Sequence, residues 1–140
     1  MADDELFNLE EMVHVRYLVG DVEEAIAFYT KFLDFEVISN AAPAFADVKR
    51  GNLRLLLAGP TSSAGRPMPD GTKPGPGGWN RIHFHVDDIV AEVARLRDAG
   101  AQFRNDVVEG PGGKQILLLD PSGNLVELFQ PATRAVTTGR

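Results

Sequence analysis

An internal repeat restricts this chain more than any other feature. A shift of 67 residues lays Val19-Gly20-Asp21-Val22 on Val86-Asp87-Asp88-Ile89, in each copy the end of an apolar run and the start of a helix signal. Self-similarity at a fixed offset means the same supersecondary unit built twice. At 140 residues the chain is hardly long enough for two independent domains, so the expectation is one domain made of two halves. A sheet with a helix on one face buries that face only and leaves the other in need of a second layer. The repeat therefore predicts two modules with a cavity between their uncovered faces.

Residues 12–19, M-V-H-V-R-Y-L-V, read as a strand. Alternation puts Val13, Val15, Tyr17 and Val19 on one face and His14, Arg16 and Leu18 on the other. A helix follows, with Asp21 as N-cap and Glu24 three residues on. Val22, Ile26, Tyr29 and Leu33 repeat at helical period, and Asp34 ends the helix in a left-handed conformation. Phe28, Tyr29 and Phe32 are most simply core. Three strands are expected near 35–39, 44–49 and 52–58, divided by Asn40–Pro43 and by the turn Arg50-Gly51-Asn52.

Residues 59–78 hold Gly or Pro at eleven of twenty positions and predict no packed element, only a linker or a lid. The second module repeats the grammar. In Trp79–Asp88, W-N-R-I-H-F-H-V-D-D, alternation sends Ile82, Phe84 and Val86 to a core face and Arg81, His83 and His85 to a polar wall. Such a wall is costly unless it faces solvent, a ligand or a partner. Asp87-Asp88 caps a helix carrying Ile89, Val93 and Leu96, which Gly100 stops. Strands are expected at 102–108, 113–119 and 124–129, the last two joined by the turn Asp120-Pro121-Ser122-Gly123-Asn124. Matching Gly51-Asn52-Leu53-Arg54-Leu55 to Gly123-Asn124-Leu125-Val126-Glu127 superposes the fourth strands and sends Arg54 to the helix side. The modules so defined are about 12–58 and 79–130 of a single domain.

Composition narrows the partners. The net charge of -6 argues against a phosphate-backbone surface and hence against nucleic acid. The absence of cysteine removes disulfides, thiolate nucleophiles and cysteine-ligated metals. No signal-peptide pattern and no spanning apolar segment occur, which predicts a cytoplasmic protein without a membrane partner.

Three segments together carry a family resemblance. They are His14-Val-Arg-Tyr-Leu-Val-Gly-Asp with Ala27-Phe28-Tyr29 and Leu33-Asp34-Phe35, then Ile82-His-Phe-His-Val-Asp-Asp, and Asp120-Pro-Ser-Gly-Asn-Leu-Val-Glu127-Leu. The chain resembles the vicinal oxygen chelate superfamily, the group of glyoxalase I, fosfomycin-resistance proteins, extradiol dioxygenases and bleomycin-resistance protein. The resemblance implies an α+β fold of two β-α-β-β-β modules around a cavity, a homodimer, and one divalent metal (zinc, manganese, iron or nickel) per cavity. Carried residue by residue, the family's ligand positions fall on His14, Leu55, Arg81 and Glu127. Only His14 and Glu127 can ligate, because a guanidinium stays protonated.

Three arrangements follow. His83 replaces the missing ligand, although two residues along a strand displace a side chain by about 6.6 Å. Alternatively Arg81 pairs with Glu127 across adjacent strands, or Arg81 binds an anionic substrate. The last two are compatible, and a metal-free state is favoured. The substrate-binding candidates are Arg16, Trp79, Arg81, His83 and His85, with Glu127 and Arg81 as candidate catalytic groups. The expected function is binding of a small polar or anionic molecule, with lyase, isomerase or oxygenase chemistry open. The alternative is a metal-free drug- or metabolite-sequestering protein of the bleomycin-resistance type.

Overall fold

The computed structural model describes residues 8–132, and the chain divides into two compact units, Met1–Gly77 and Gly78–Arg140. In the first unit the order is β1 (Val13–Leu18), α1 (Val22–Phe32), β2 (Glu36–Ala41), β3 (Phe45–Arg50) and β4 (Leu53–Ala58). The sheet runs β1-β4-β3-β2, with β1 parallel to β4 and the other pairs antiparallel. A single turn of 3₁₀ helix, Leu9–Glu11, precedes β1.

Helix α1 starts where the sequence places it: the Asp21 side chain accepts from the Glu24 N–H at 3.1 Å, satisfying one of the donors a helix start leaves open. It ends with Asp34 at φ 60°, a conformation Asp tolerates through its short polar side chain. Val22, Ala25, Ile26, Phe28 and Tyr29 are buried. Tyr29 meets Phe28 and Phe35 edge to face at 4.9 and 5.4 Å, the arrangement ring quadrupoles prefer. Beneath them Tyr17, Ala46, Val48, Leu55 and Leu57 form the helix-side face of the sheet.

The second unit holds β5 (Arg81–His85), α2 (Ile89–Asp98), β6 (Gln102–Phe103), β7 (Val108–Gly110), β8 (Gly113–Leu119) and β9 (Leu125–Pro131). Its sheet runs β5-β9-β8-β6, with β7 also on β8 and β5 parallel to β9. Asp88 caps α2 by accepting from Ala91 N–H, and Ile89, Val93 and Leu96 are buried. Gly100, at φ 99°, follows the helix end. Ile82, Ile116, Leu118, Val126 and Leu128 make up the helix-side face.

Two expectations change. The strand foreseen at 102–108 is broken into β6 and β7, because Asn105 Oδ1 takes the Leu117 N–H at 3.0 Å and supplants a ladder carbonyl. The β4 register also differs. Gly51-Asn52 is a two-residue turn with Arg50 opposite Leu53, whereas five residues separate the paired Leu119 and Leu125. The superposition of the two turns is therefore out of step by one residue, which reverses every face. Leu55 is fully buried on the helix side, and Arg54 shares the opposite face with His14. By face, the first unit's counterpart of Glu127 is Leu56.

Residues 59–78 contain no helix or strand. Gly59, Pro60, Gly65, Pro67 and Lys73–Pro76 fold back on Leu18–Gly20 and line a cavity of about 300 Å³ within the first unit. No helix among the described residues is long and apolar enough to cross a membrane.

Candidate functional site

The open face of the second sheet follows from its register. Arg81, His83 and His85 on β5 lie opposite Leu125, Glu127 and Phe129 on β9, and Cα partners in a sheet share a face. The turn before β9 fixes this placement. Asp120 Oδ1 accepts from Ser122 and Asn124 N–H at 2.9 Å each, and Oδ2 accepts from Asn124 Nδ2 at 3.0 Å. Gly123 supplies the φ of 88° the turn needs. At the far end Gln130 Oε1 accepts from Ile89 N–H at 2.8 Å, tying β9 to the start of α2.

Between these anchors sits Glu127, whose side chain is 11% exposed. Arg81 Nε donates to its Oε1 at 3.0 Å, and Arg81 Nη1 donates to the Trp79 carbonyl at 3.1 Å. A carboxylate this buried requires such a partner. His83 Nε2 lies 3.6 Å from Glu127 Oε2, beyond hydrogen-bond length, so Oε2 is the less committed oxygen. His83, His85 and Phe129 form a ring cluster with centroids 5.2 to 5.6 Å apart.

His14 and Arg16 belong to the first unit. His14 Nε2 lies 2.6 Å from the Leu9 carbonyl. A carbonyl can only accept, so Nε2 carries the proton and Nδ1 is the acceptor, which Arg54 Nη1 meets at 3.3 Å. Arg54 is itself held by buried Asp47, with Nε and Nη2 at 2.8 and 2.7 Å from Oδ2. Arg16 is exposed on the same face, its Cα opposite Leu56.

The donor chemistry does not fit a divalent metal. Both ring nitrogens of His14 are engaged, one as a donor, and a guanidinium occupies Glu127 Oε1. Among the described residues no three His, Asp or Glu side chains converge to hold an ion.

The structure thus gathers Trp79, Arg81, His83, His85 and Glu127 in the second unit, and it adds Phe129 and Arg104. Phe129 was visible in the alternation Leu125, Glu127, Phe129. Arg104, whose guanidinium lies 4.3 Å from the Trp79 ring centroid, had no local signal. In the first unit Arg54 and Asp47 join His14; the length of the Gly51-Asn52 turn was the clue to Arg54.

Two β-α-β-β-β units, each with one sheet face under a helix and polar groups on the other, define an α+β protein of glyoxalase-like fold. The chain belongs to the Glyoxalase/Bleomycin resistance protein/Dioxygenase superfamily, whose profile matches residues 11–128. It is 33% identical over 138 residues to the mitochondrial methylmalonyl-CoA epimerase of Homo sapiens, a match covering 89% of this chain and 76% of that protein. Its fold is similar to that of lactoylglutathione lyase from Agrobacterium tumefaciens, with TM-score 0.68, 22% identity, and 85% and 92% of the two chains covered. It is also similar to TnmS3, an antibiotic binding protein from Streptomyces sp. CB03234, with TM-score 0.65, 25% identity, and 86% and 95% covered.

Proposed function

We propose that this chain binds a compact organic anion on the open face of its second sheet and isomerises it by proton transfer without a metal. The observation that carries this reading is Arg81 on Glu127 Oε1 at 3.0 Å, a fixed cation beside a carboxylate where the family resemblance implies a metal ligand. Arg81 Nη2 has no partner among the described residues and is the donor offered to a carboxylate or to a developing enolate oxygen. The C–H bond α to a carbonyl breaks as its proton passes to Glu127 Oε2, and the electron pair moves to the carbonyl oxygen beside Arg81. Return of a proton from solvent to the opposite side of that carbon inverts the centre, while His83, whose Nε2 lies 3.6 Å from the same Oε2, stands on the Glu127 side and takes the abstracted proton onward. The relative named methylmalonyl-CoA epimerase makes acyl thioesters of malonic-type acids the class to try first. The functional particle in this reading is a homodimer in the cytoplasm.

The test is deuterium exchange at the α-carbon of methylmalonyl-CoA in D₂O, read by mass spectrometry on chelator-treated protein. Exchange should persist after chelation and fall about 100-fold or more in Glu127→Gln. Exchange that appears only with added divalent metal would overturn the reading.

A second reading has its own support. The cluster of His83, His85 and Phe129 is a surface for stacking a planar drug-like molecule, and TnmS3 is an antibiotic binding protein. Saturable binding of aromatic antibiotics with no exchange on any acyl substrate would favour sequestration over turnover.

A further inference from the structure

We infer that Trp79 and Arg104 form a stacking site for a planar heteroaromatic ring bearing an anionic group, contiguous with Arg81. Trp79 is the one tryptophan of the chain, and 62% of it is exposed. A tryptophan that anchored the return of the 59–78 segment would bury its ring, since burial is what so large an apolar side chain contributes. Instead a guanidinium lies over the ring at 4.3 Å and a second guanidinium binds the same residue's carbonyl at 3.1 Å.

The break between β6 and β7 holds Arg104 there. Arg104 N–H donates to the Leu117 carbonyl at 2.9 Å, and Asn105 Oδ1 takes the Leu117 N–H at 3.0 Å. The irregularity thus fixes the backbone on both sides of the Arg104 side chain, where a continuous strand would have placed it by simple alternation. A guanidinium stacked on indole keeps its in-plane N–H donors free for an anion. With one indole face under Arg104 and the residue still largely exposed, a ligand ring has a face to stack on, and its phosphate or carboxylate meets the guanidinium edge.

An acidic chain, with net charge -6, gains no general attraction for anions from its overall field, so two arginines on one tryptophan are a local provision. The ligand class is a nucleotide-like molecule, ring and charge together. This rests on the open face of the second sheet being the ligand face.

Because Trp79 is the sole tryptophan, fluorescence excited near 295 nm reports on this site alone. The full chain is titrated with ADP, coenzyme A, adenosine and inorganic pyrophosphate. ADP or coenzyme A should quench saturably, and the better of the two identifies whether a free nucleotide or a nucleotide-bearing thiol is the source. Adenosine and pyrophosphate, each lacking one half, should bind about tenfold more weakly or worse. By calorimetry, Arg104→Ala and Trp79→Leu should each weaken binding about tenfold and Trp79→Phe much less; these exposed positions leave the fold intact.

Absence of quenching by all four probes, or ADP affinity indifferent to both Trp79→Leu and Arg104→Ala, overturns the inference. Equal affinity for adenosine and ADP overturns its anionic part. Binding of methylmalonate that is lost in Arg81→Met, with no nucleotide effect, would sink this inference and leave the proposed function standing; loss of methylmalonate binding in the wild type as well would remove both.

Discussion

A double-mutant cycle on Arg81 and Glu127 measures what stands where a metal ligand is implied. The two atoms are 3.0 Å apart, a separation worth about 5.5 kcal/mol at an effective dielectric of about 20 and about 1.4 kcal/mol in water. The side chains are 32% and 11% exposed, so the pair lies between these limits. After desolvation and side-chain ordering are subtracted, a coupling of about 2 kcal/mol remains. Arg81→Met should destabilise by about 2–3 kcal/mol, since it leaves a nearly buried carboxylate uncompensated. Glu127→Leu should cost about 1–2 kcal/mol, because the more exposed guanidinium can turn to water. The double variant should cost about 2 kcal/mol, about 2 kcal/mol less than the sum of the two single variants, because removing both partners leaves no uncompensated charge. Urea unfolding followed by circular dichroism gives all four values. A coupling below about 0.5 kcal/mol would mean that the contact is a surface pair of no consequence, and the account of Arg81 as a substitute for a metal ligand would fail.

Other outcomes follow from the same geometry. Arg81→His frees Glu127 Oε1 and adds an imidazole on the same face as His83 and His85, so this variant should take up stoichiometric Co²⁺ with a visible absorption band while the wild type does not; equal uptake by both would contradict the donor argument. Leu55→Ala should destabilise by about 2–5 kcal/mol in urea, as expected of a side chain with no exposure, and a loss under about 1 kcal/mol would return Leu55 to the open face. Asp21→Ala should cost about 1 kcal/mol through the lost cap on Glu24 N–H; an unchanged unfolding midpoint would argue that water caps α1 equally well. At Asp70, hydrogen bonds from Thr72 hold the carboxyl below the usual aspartate range. A depressed carboxyl stabilises its turn above the ordinary value and ceases to as pH falls through the folded value, so NMR should show Asp70 titrating below a free aspartate, and Thr72→Ala should raise it.

How much of this was legible depends on which residues are considered. The helices were, because Asp21 and Asp88 each precede a 3.6-residue apolar period and Asp34 and Gly100 follow it; caps and period act within one turn of chain. The polar wall of Arg81, His83 and His85 was also legible, since alternation along one strand needs no partner. The faces of β4 were not, because they turn on whether Gly51-Asn52 closes a two-residue hairpin, and the matching Gly-Asn pair of the second unit belongs to a longer turn. Arg104 was hidden for a similar reason: Asn105 interrupts the ladder by reaching Leu117, twelve residues on.

The sequence by itself determined the two β-α-β-β-β units, their helix boundaries and the family, all of which rest on contacts local in the chain or on the repeat between its halves. Tertiary structure alone decided the partners of the polar groups. Arg81 meets Glu127 46 residues away and Arg54 meets His14 40 residues away. Those pairings are set by strand register, which shifts by one residue without any change in local propensity and carries every side chain to the opposite face when it does.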